Sequence, residues 1–196
     1  MREDGAMTNI IMAGVGGQGV LLACRVLMEA AFYSNYDVKE SEIHGMAQRG
    51  GSVEAHVRFG SDVASPLIPN AAADFIVSFE LCEAVRKLDY LGKHGVLFVN
   101  NEKVIPSSVQ AGLAEYPEAL DTWLDNNVPN VHLLDTLQAR KDIGSKRCLN
   151  ILMLGALSNR LDIPEENWLS AIRELVKPKY VDTNIDAFNY GRSCTA

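Results

Sequence analysis

A short run rich in β-branched residues, TNIIMA at positions 8–13, leads directly into Gly14-Val15-Gly16-Gly17-Gln18-Gly19. An almost unbroken apolar stretch then continues to Tyr33. Strand, glycine turn and helix in immediate succession constrain the fold more than any other feature of the chain. In a G-x-G-x-x-G turn the first glycine allows the sharp bend. The second lets a phosphate approach the backbone, and the third lets helix and strand pack closely. The helix that follows, read over 17–33, has its polar residues Gln18, Arg25 and Glu29 at spacings of seven and four. They form one narrow stripe, so the rest of the helix is buried, as on a parallel sheet.

The rest of the chain extends this pattern. Strands are predicted at 36–39, 52–59, 73–79, 95–100 and 130–134, with SVEAHVRF at 52–59 alternating like a half-exposed strand. Helices are predicted at 80–91 and 118–126, with a helical turn at 137–143. The last third reads as helical over 146–159, 162–175 and 182–190, with Gly191 as the final stop and 191–196 as a frayed tail. The expected class is α/β: a Rossmann-like, mainly parallel sheet with helices on both faces and a helical C-terminal third. A single domain over 1–196 is expected, with 1–7 a disordered tail.

Composition narrows the partners. The net charge of -7 and pI near 5.1 offer no basic patch, so nucleic acid is not an expected partner. No apolar run reaches the roughly 18 residues that a membrane span requires. No secretory leader is apparent, so a cytoplasmic location is expected. Cys24, Cys82, Cys148 and Cys194 are too far apart for C-x-x-C ligation and read as reduced thiols; the chain is expected to hold no metal or cofactor of its own.

The candidate site has two parts. The first is the glycine loop, with Gly14, Gly16, Gly17, Gln18 and Gly19. A nicotinamide site would want an acid about 20 residues on. Glu40 and Glu42 lie near that place, but a polar loop follows them. A dinucleotide, another phosphate ligand, or a turn that is structural or faces a partner chain all remain open. The second part is His44-Gly45-Met46-Ala47-Gln48-Arg49-Gly50-Gly51-Ser52. Here Arg49 suits a phosphate or carboxylate, with His44, Gln48, Gly50, Gly51 and Ser52 beside it. Both loops are expected at the carboxyl edge of the sheet, where ligands of such folds bind. No residue is assigned a catalytic role.

Together the two motifs resemble the gamma-type subunit of 2-oxoacid:ferredoxin oxidoreductases, whose pattern is GxGGQG after the first strand and RGG before a later one. Residues 42–53 (EIHGMAQRGGSV) and 184–191 (NIDAFNYG) are similar to the indolepyruvate branch, where this type of chain is the beta subunit. The resemblance spans about 8–191. It implies a complex that decarboxylates an aryl 2-oxoacid such as indolepyruvate, forms its acyl-CoA and passes electrons to ferredoxin. Thiamine diphosphate, its magnesium ion and iron–sulfur clusters would sit in a larger partner subunit. This chain would support assembly and bind coenzyme A or phosphate, be inactive alone, and form a homodimer if isolated. An independent NAD-binding dehydrogenase and a noncatalytic nucleotide- or CoA-binding module are the alternatives.

Overall fold

The computed structural model describes residues 7–44, 50–106, 109, 111–145 and 148–195. Six strands form one sheet: β1 (Thr8–Val15), β2 (Asp37–His44), β3 (Ser52–Gly60), β4 (Ala73–Ser78), β5 (Leu91–Asn100) and β6 (Val131–Leu134). Their spatial order is β2-β3-β1-β4-β5-β6. The β1–β4, β4–β5 and β5–β6 pairs are parallel, while β3 pairs antiparallel with both β1 and β2. Five strands therefore run one way and β3 alone runs against them.

The helices are α1 (Val20–Tyr33), α2 (Leu81–Arg86), α3 (Leu120–Asn127), α4 (Thr136–Asp142), α5 (Leu149–Ser158), α6 (Glu165–Leu175) and α7 (Val181–Ser193). They cover both faces of the sheet, as expected for α/β. On one face Ile10, Met12, Phe75, Val77 and Phe98 lie beneath α1, α5, α6 and α7. On the other, Ile11, Ile76, Leu97 and Val99 lie beneath α2 and α3. Residues that alternate along one strand thus enter two different cores, which is why β1 reads as a continuous apolar run. Among the described residues no helix is long and apolar enough to cross a membrane.

Helix α5 is buried along all ten of its residues. It crosses α7 through two glycines. A Cβ on Gly155 would stand 2.1 Å from the Phe188 carbonyl oxygen, and one on Gly191 would stand 1.9 Å from that of Leu152. Only hydrogen fits at either position, so the two backbones touch.

Several sequence expectations need correction here. Gly191 does not end the last helix; α7 continues to Ser193, because this glycine serves packing rather than termination. Residues 192–195 after it are not frayed. The Asn159 side chain donates to the Arg192 carbonyl (2.7 Å), and Thr195 Oγ1 donates to that of Ala156 (2.8 Å). The helix over 80–91 is instead α2 plus a 3-10 turn, Leu88–Tyr90, and β5 already starts at Leu91. Strand β2 extends beyond 39 to His44, placing Glu40 and Glu42 in a strand.

Strand β3 is not half-exposed. It lies between β1 and β2, and its polar residues Glu54 and His56 are only 7% and 2% exposed. They are tolerated because they are paired. The Ile68 amide donates to His56 Nδ1 (3.0 Å), which leaves the ring proton on Nε2 to donate to Glu54 Oε1 (2.8 Å). The Lys87 ammonium holds the other carboxylate oxygen at 2.5 Å. The His56 hydrogen bond and then the Lys87 charge hold the Glu54 carboxyl below its ordinary range against the opposing effect of burial.

Candidate functional site

The carboxyl ends of β1 and β4 lie side by side, and the helices that follow them diverge: α1 covers one face and α2 the other. This divergence makes the crevice at which doubly wound sheets bind ligands. The glycine loop occupies it. Gly19 stands at the N-cap of α1 with φ 83°, and no side chain caps the helix. No acid lies in the first turn to offset the positive end of the dipole. A Cβ at Gly19 would also meet Asn150 Nδ2 at 2.8 Å, and that amide donates to the Gly19 carbonyl (3.2 Å). Asn150 is the polar residue of the otherwise apolar start of α5, LNILML, and its polarity in that run was the available clue.

Gln18 is not a free ligand-facing amide. Its Oε1 accepts from the Val15 amide (2.7 Å), and its Nε2 donates to the Phe79 carbonyl (2.8 Å). The side chain therefore clips the end of β1 to the end of β4 across the floor of the crevice. Gly14 makes room for it, since a Cβ there would stand 2.9 Å from Gln18 Oε1 and 3.1 Å from Phe79 Cβ.

The second motif joins the first through β3. Because β3 is antiparallel to β1, its start lies beside the end of β1, with Ser52 opposite Val15. The Gly16 amide donates to the Gly51 carbonyl (2.8 Å) and the Gly50 amide to that of Gly16 (3.4 Å), continuing the ladder into both loops. The two motifs thus converge at the carboxyl edge, as expected, but through antiparallel pairing. Gly17 and Gly50 both have positive φ, and a Cβ on either would point into open space. Ser52 donates through Oγ to Glu83 Oε2 (2.6 Å), and Arg86 Nη1 pairs with Glu83 Oε1 (2.7 Å). The backbone of His44 ends β2 opposite Val53. Its side chain, with Gln48 and Arg49, lies outside the described residues.

A polar chain not apparent in the sequence runs along the same edge. Asn100 Nδ2 donates to the Phe79 carbonyl that also receives Gln18 (3.0 Å), and to Glu102 Oε2 (3.1 Å). Thr136 Oγ1 donates to Asn100 Oδ1 (2.7 Å), and Arg140 pairs with Glu102 (2.9 Å). The chain leads to an open cleft of about 460 Å³ lined by Glu102, Leu137, Arg140, Lys141, Gly144 and Ser145. Buried Glu80 (1% exposed) caps α2 by accepting from the Glu83 amide (3.0 Å) and accepts from the Tyr116 hydroxyl. Apart from the local Glu80–Glu83 and Asn100–Glu102 bonds, these contacts join residues far apart in sequence, so no local spacing announces them. Among the described residues no group of three or more His, Cys, Asp or Glu side chains is arranged to hold a metal ion.

Comparison with known proteins places the chain among its relatives. The pyruvate ferredoxin/flavodoxin oxidoreductase family model matches residues 9–194. The chain is 40% identical to the indolepyruvate oxidoreductase subunit IorB of Archaeoglobus fulgidus over 187 residues, 93% of this chain and 92% of the relative. It is 28% identical to the 2-oxoglutarate synthase subunit KorC of Methanothermobacter marburgensis, over 94% of each. In fold it is similar to the keto/oxoacid ferredoxin oxidoreductase gamma subunit of Geobacter sulfurreducens, with TM-score 0.70, 22% identity, and 96% and 98% of the two chains covered. It also matches the 2-oxoglutarate:ferredoxin oxidoreductase of Magnetococcus marinus, solved with 2-oxoglutarate, coenzyme A and succinyl-CoA, at TM-score 0.73 and 18% identity. That match covers 98% of this chain and 31% of the larger one. With a family model matching nearly its whole length and relatives this similar end to end, the chain belongs to the pyruvate ferredoxin/flavodoxin oxidoreductase family, as an IorB-like oxidoreductase subunit.

Proposed function

We propose that this chain is the small subunit of an indolepyruvate-type complex that converts an aryl 2-oxoacid to its acyl-CoA and passes electrons to ferredoxin. Thiamine diphosphate, magnesium and iron–sulfur clusters belong on this reading to a larger partner subunit and supply the decarboxylation and electron-transfer chemistry. This chain contributes the crevice between β1 and β4. There the backbone at Gly16, Gly17 and Gly19 and the uncapped start of α1 receive a phosphate of coenzyme A. Gly50, Gly51 and Ser52 form the opposite wall, and Arg49 closes on the phosphate as a guanidinium clamp.

The observation that carries this reading is the Gly16–Gly51 hydrogen bond, which sets both loops against one uncapped helix end. An independent NAD enzyme is less well supported, because Glu40 lies within the outermost strand rather than at its end beside the loop. Calorimetric titration of the anaerobic complex with coenzyme A tests the proposal. Arg49→Ala is expected to weaken binding at least tenfold, about what loss of one charge-assisted contact costs. Unchanged binding removes Arg49 from the site. Binding of NADH by the isolated chain would instead favour the dehydrogenase.

A further inference from the structure

Strand β2 is the outermost strand of the sheet, paired with β3 on one side and with no described strand on the other. An open edge of eight residues is a template for another chain unless something guards it. The amino half is tied down: Asp37 accepts from the Val63 amide (2.7 Å), and Lys39 donates to the Val63 carbonyl. The carboxyl half is different. Ile43 is 48% exposed. Glu40 lies on the α1 side of the strand, and its Oε1 is buried without a hydrogen-bond partner among the described residues.

Among the described residues, the surroundings of Glu40 offer it little positive charge. Its neighbour in β3 is Val57, and that of Glu42 is Ala55, both fully buried aliphatic residues. Glu42 shares a hydrogen bond with it, so a second acid stands where a base would help. From α1 it meets Cys24 and Arg25. The Arg25 attraction is smaller than the effects of burial and of Glu42, and the carboxyl is pushed up to about 7. A carboxylate desolvated in this way is a cost to the isolated chain. Sites that break a local rule in this manner are where function is expected.

A second copy of this chain is a poor occupant. In a two-fold antiparallel pairing, residues of the same parity share a face, because the axis stands normal to the sheet. Glu40 and Glu42 of one copy would then stand on the same face as their counterparts. A different chain bringing a base meets no such conflict.

We propose that the carboxyl half of β2, from Glu40 to Ile43, is the docking edge for the larger subunit, which adds an extended segment and places a Lys or Arg over Glu40. The inference rests on the subunit reading above. In the complex, the added segment pairs with the β2 backbone, Ile43 is covered, and Glu40 gains a closer cation than Arg25.

The test measures the affinity of the purified larger subunit for wild type, Glu40→Gln, Glu40→Lys and Ile43→Asp, at low and high salt. Glu40→Gln is expected to weaken assembly about tenfold at low salt and to flatten its salt dependence, as loss of an interfacial charge pair does. Glu40→Lys and Ile43→Asp should weaken it further. The same Glu40→Gln chain, isolated near neutral or alkaline pH, should melt higher than wild type, an effect opposite to that of a general loss of folding. Assembly unchanged by Glu40→Gln overturns the docking edge while leaving the subunit reading intact. Self-association strengthened by Glu40→Gln overturns it in favour of a second copy. Failure of wild type to bind the larger subunit at all removes both readings.

Discussion

The amide of Gly16 and the carbonyl of Gly51 are 2.8 Å apart, a hydrogen bond that fuses two loops 35 positions apart in sequence into one wall of a crevice.

Gln18 should behave as a structural clip. Replacing it with Leu leaves the Val15 amide and the Phe79 carbonyl without this partner, at about 1–3 kcal/mol if both stay dry. Glu at this position keeps the acceptor for Val15 but sets a carboxylate oxygen against the Phe79 carbonyl, so it should not rescue. Urea unfolding of the two variants checks this. Equal stability of Gln18→Glu and wild type would show that the second contact is dispensable.

Gly19→Ala meets two obstacles, a left-handed backbone and the Asn150 amide at 2.8 Å. The backbone cost is about 1–2 kcal/mol. The steric one can relax, since the contacted atom is the tip of a side chain. Pairing Gly19→Ala with Asn150→Ala should therefore cost less than the sum of the two single changes. A double-mutant cycle by chemical denaturation measures the difference, and strict additivity would count against contact between these residues.

Gly155→Ala and Gly191→Ala have no such escape, because the atoms in the way are backbone oxygens at 2.1 Å and 1.9 Å. Helices α5 and α7 must separate, at a cost of more than about 3 kcal/mol, beyond ordinary overpacking. A drop in thermal midpoint or in folded yield is expected for each. A near-wild-type melt for either would show that the helices part freely.

Stability should depend on pH through two carboxylates of opposite sign. Glu40 has a folded pKa of about 7, raised from 4.5. Its stabilising contribution is complete below the unfolded value and is lost as pH rises through about 7. Glu40→Gln should therefore stabilise the isolated chain near pH ~8 by roughly 1 kcal/mol, after allowance for solvent screening, and do little near pH ~4. Glu54 is shifted downward, so its contribution is present above its unfolded value and fades as pH falls through the lower folded one. Melting curves of wild type and Glu40→Gln across this range test the sign. Parallel curves at every pH would refute the shift at Glu40.

Some of this was legible in the sequence because it is local. The β-branched run before Gly14, the apolar stretch after it and the runs ADFIVSF and GVLFVN report burial, and burial at a given period marks strand or helix wherever the segment ends up. The spacing of Gly14, Gly16 and Gly19 likewise reports a strand–turn–helix whatever lies around it. Arg49-Gly50-Gly51 marked a second loop and, with the first, the family.

Only the tertiary structure decided which segments meet. Periodicity says that one side of a strand is buried, not which strand lies beside it or in which direction it runs. Strand β3 read as half-exposed because Glu54 and His56 alternate with Val53, Ala55 and Val57, yet both are buried; Lys87 and the Ile68 amide satisfy them from elsewhere in the chain. Gly191 read as a helix stop because its constraint, the Leu152 carbonyl, lies on another helix. The glycine loop itself, plain in the sequence, acquired its second wall only when β3 turned antiparallel and set Gly51 against Gly16. Hydrogen bonds between distant backbone groups carry no side-chain signature, and here they decide how the candidate site is assembled.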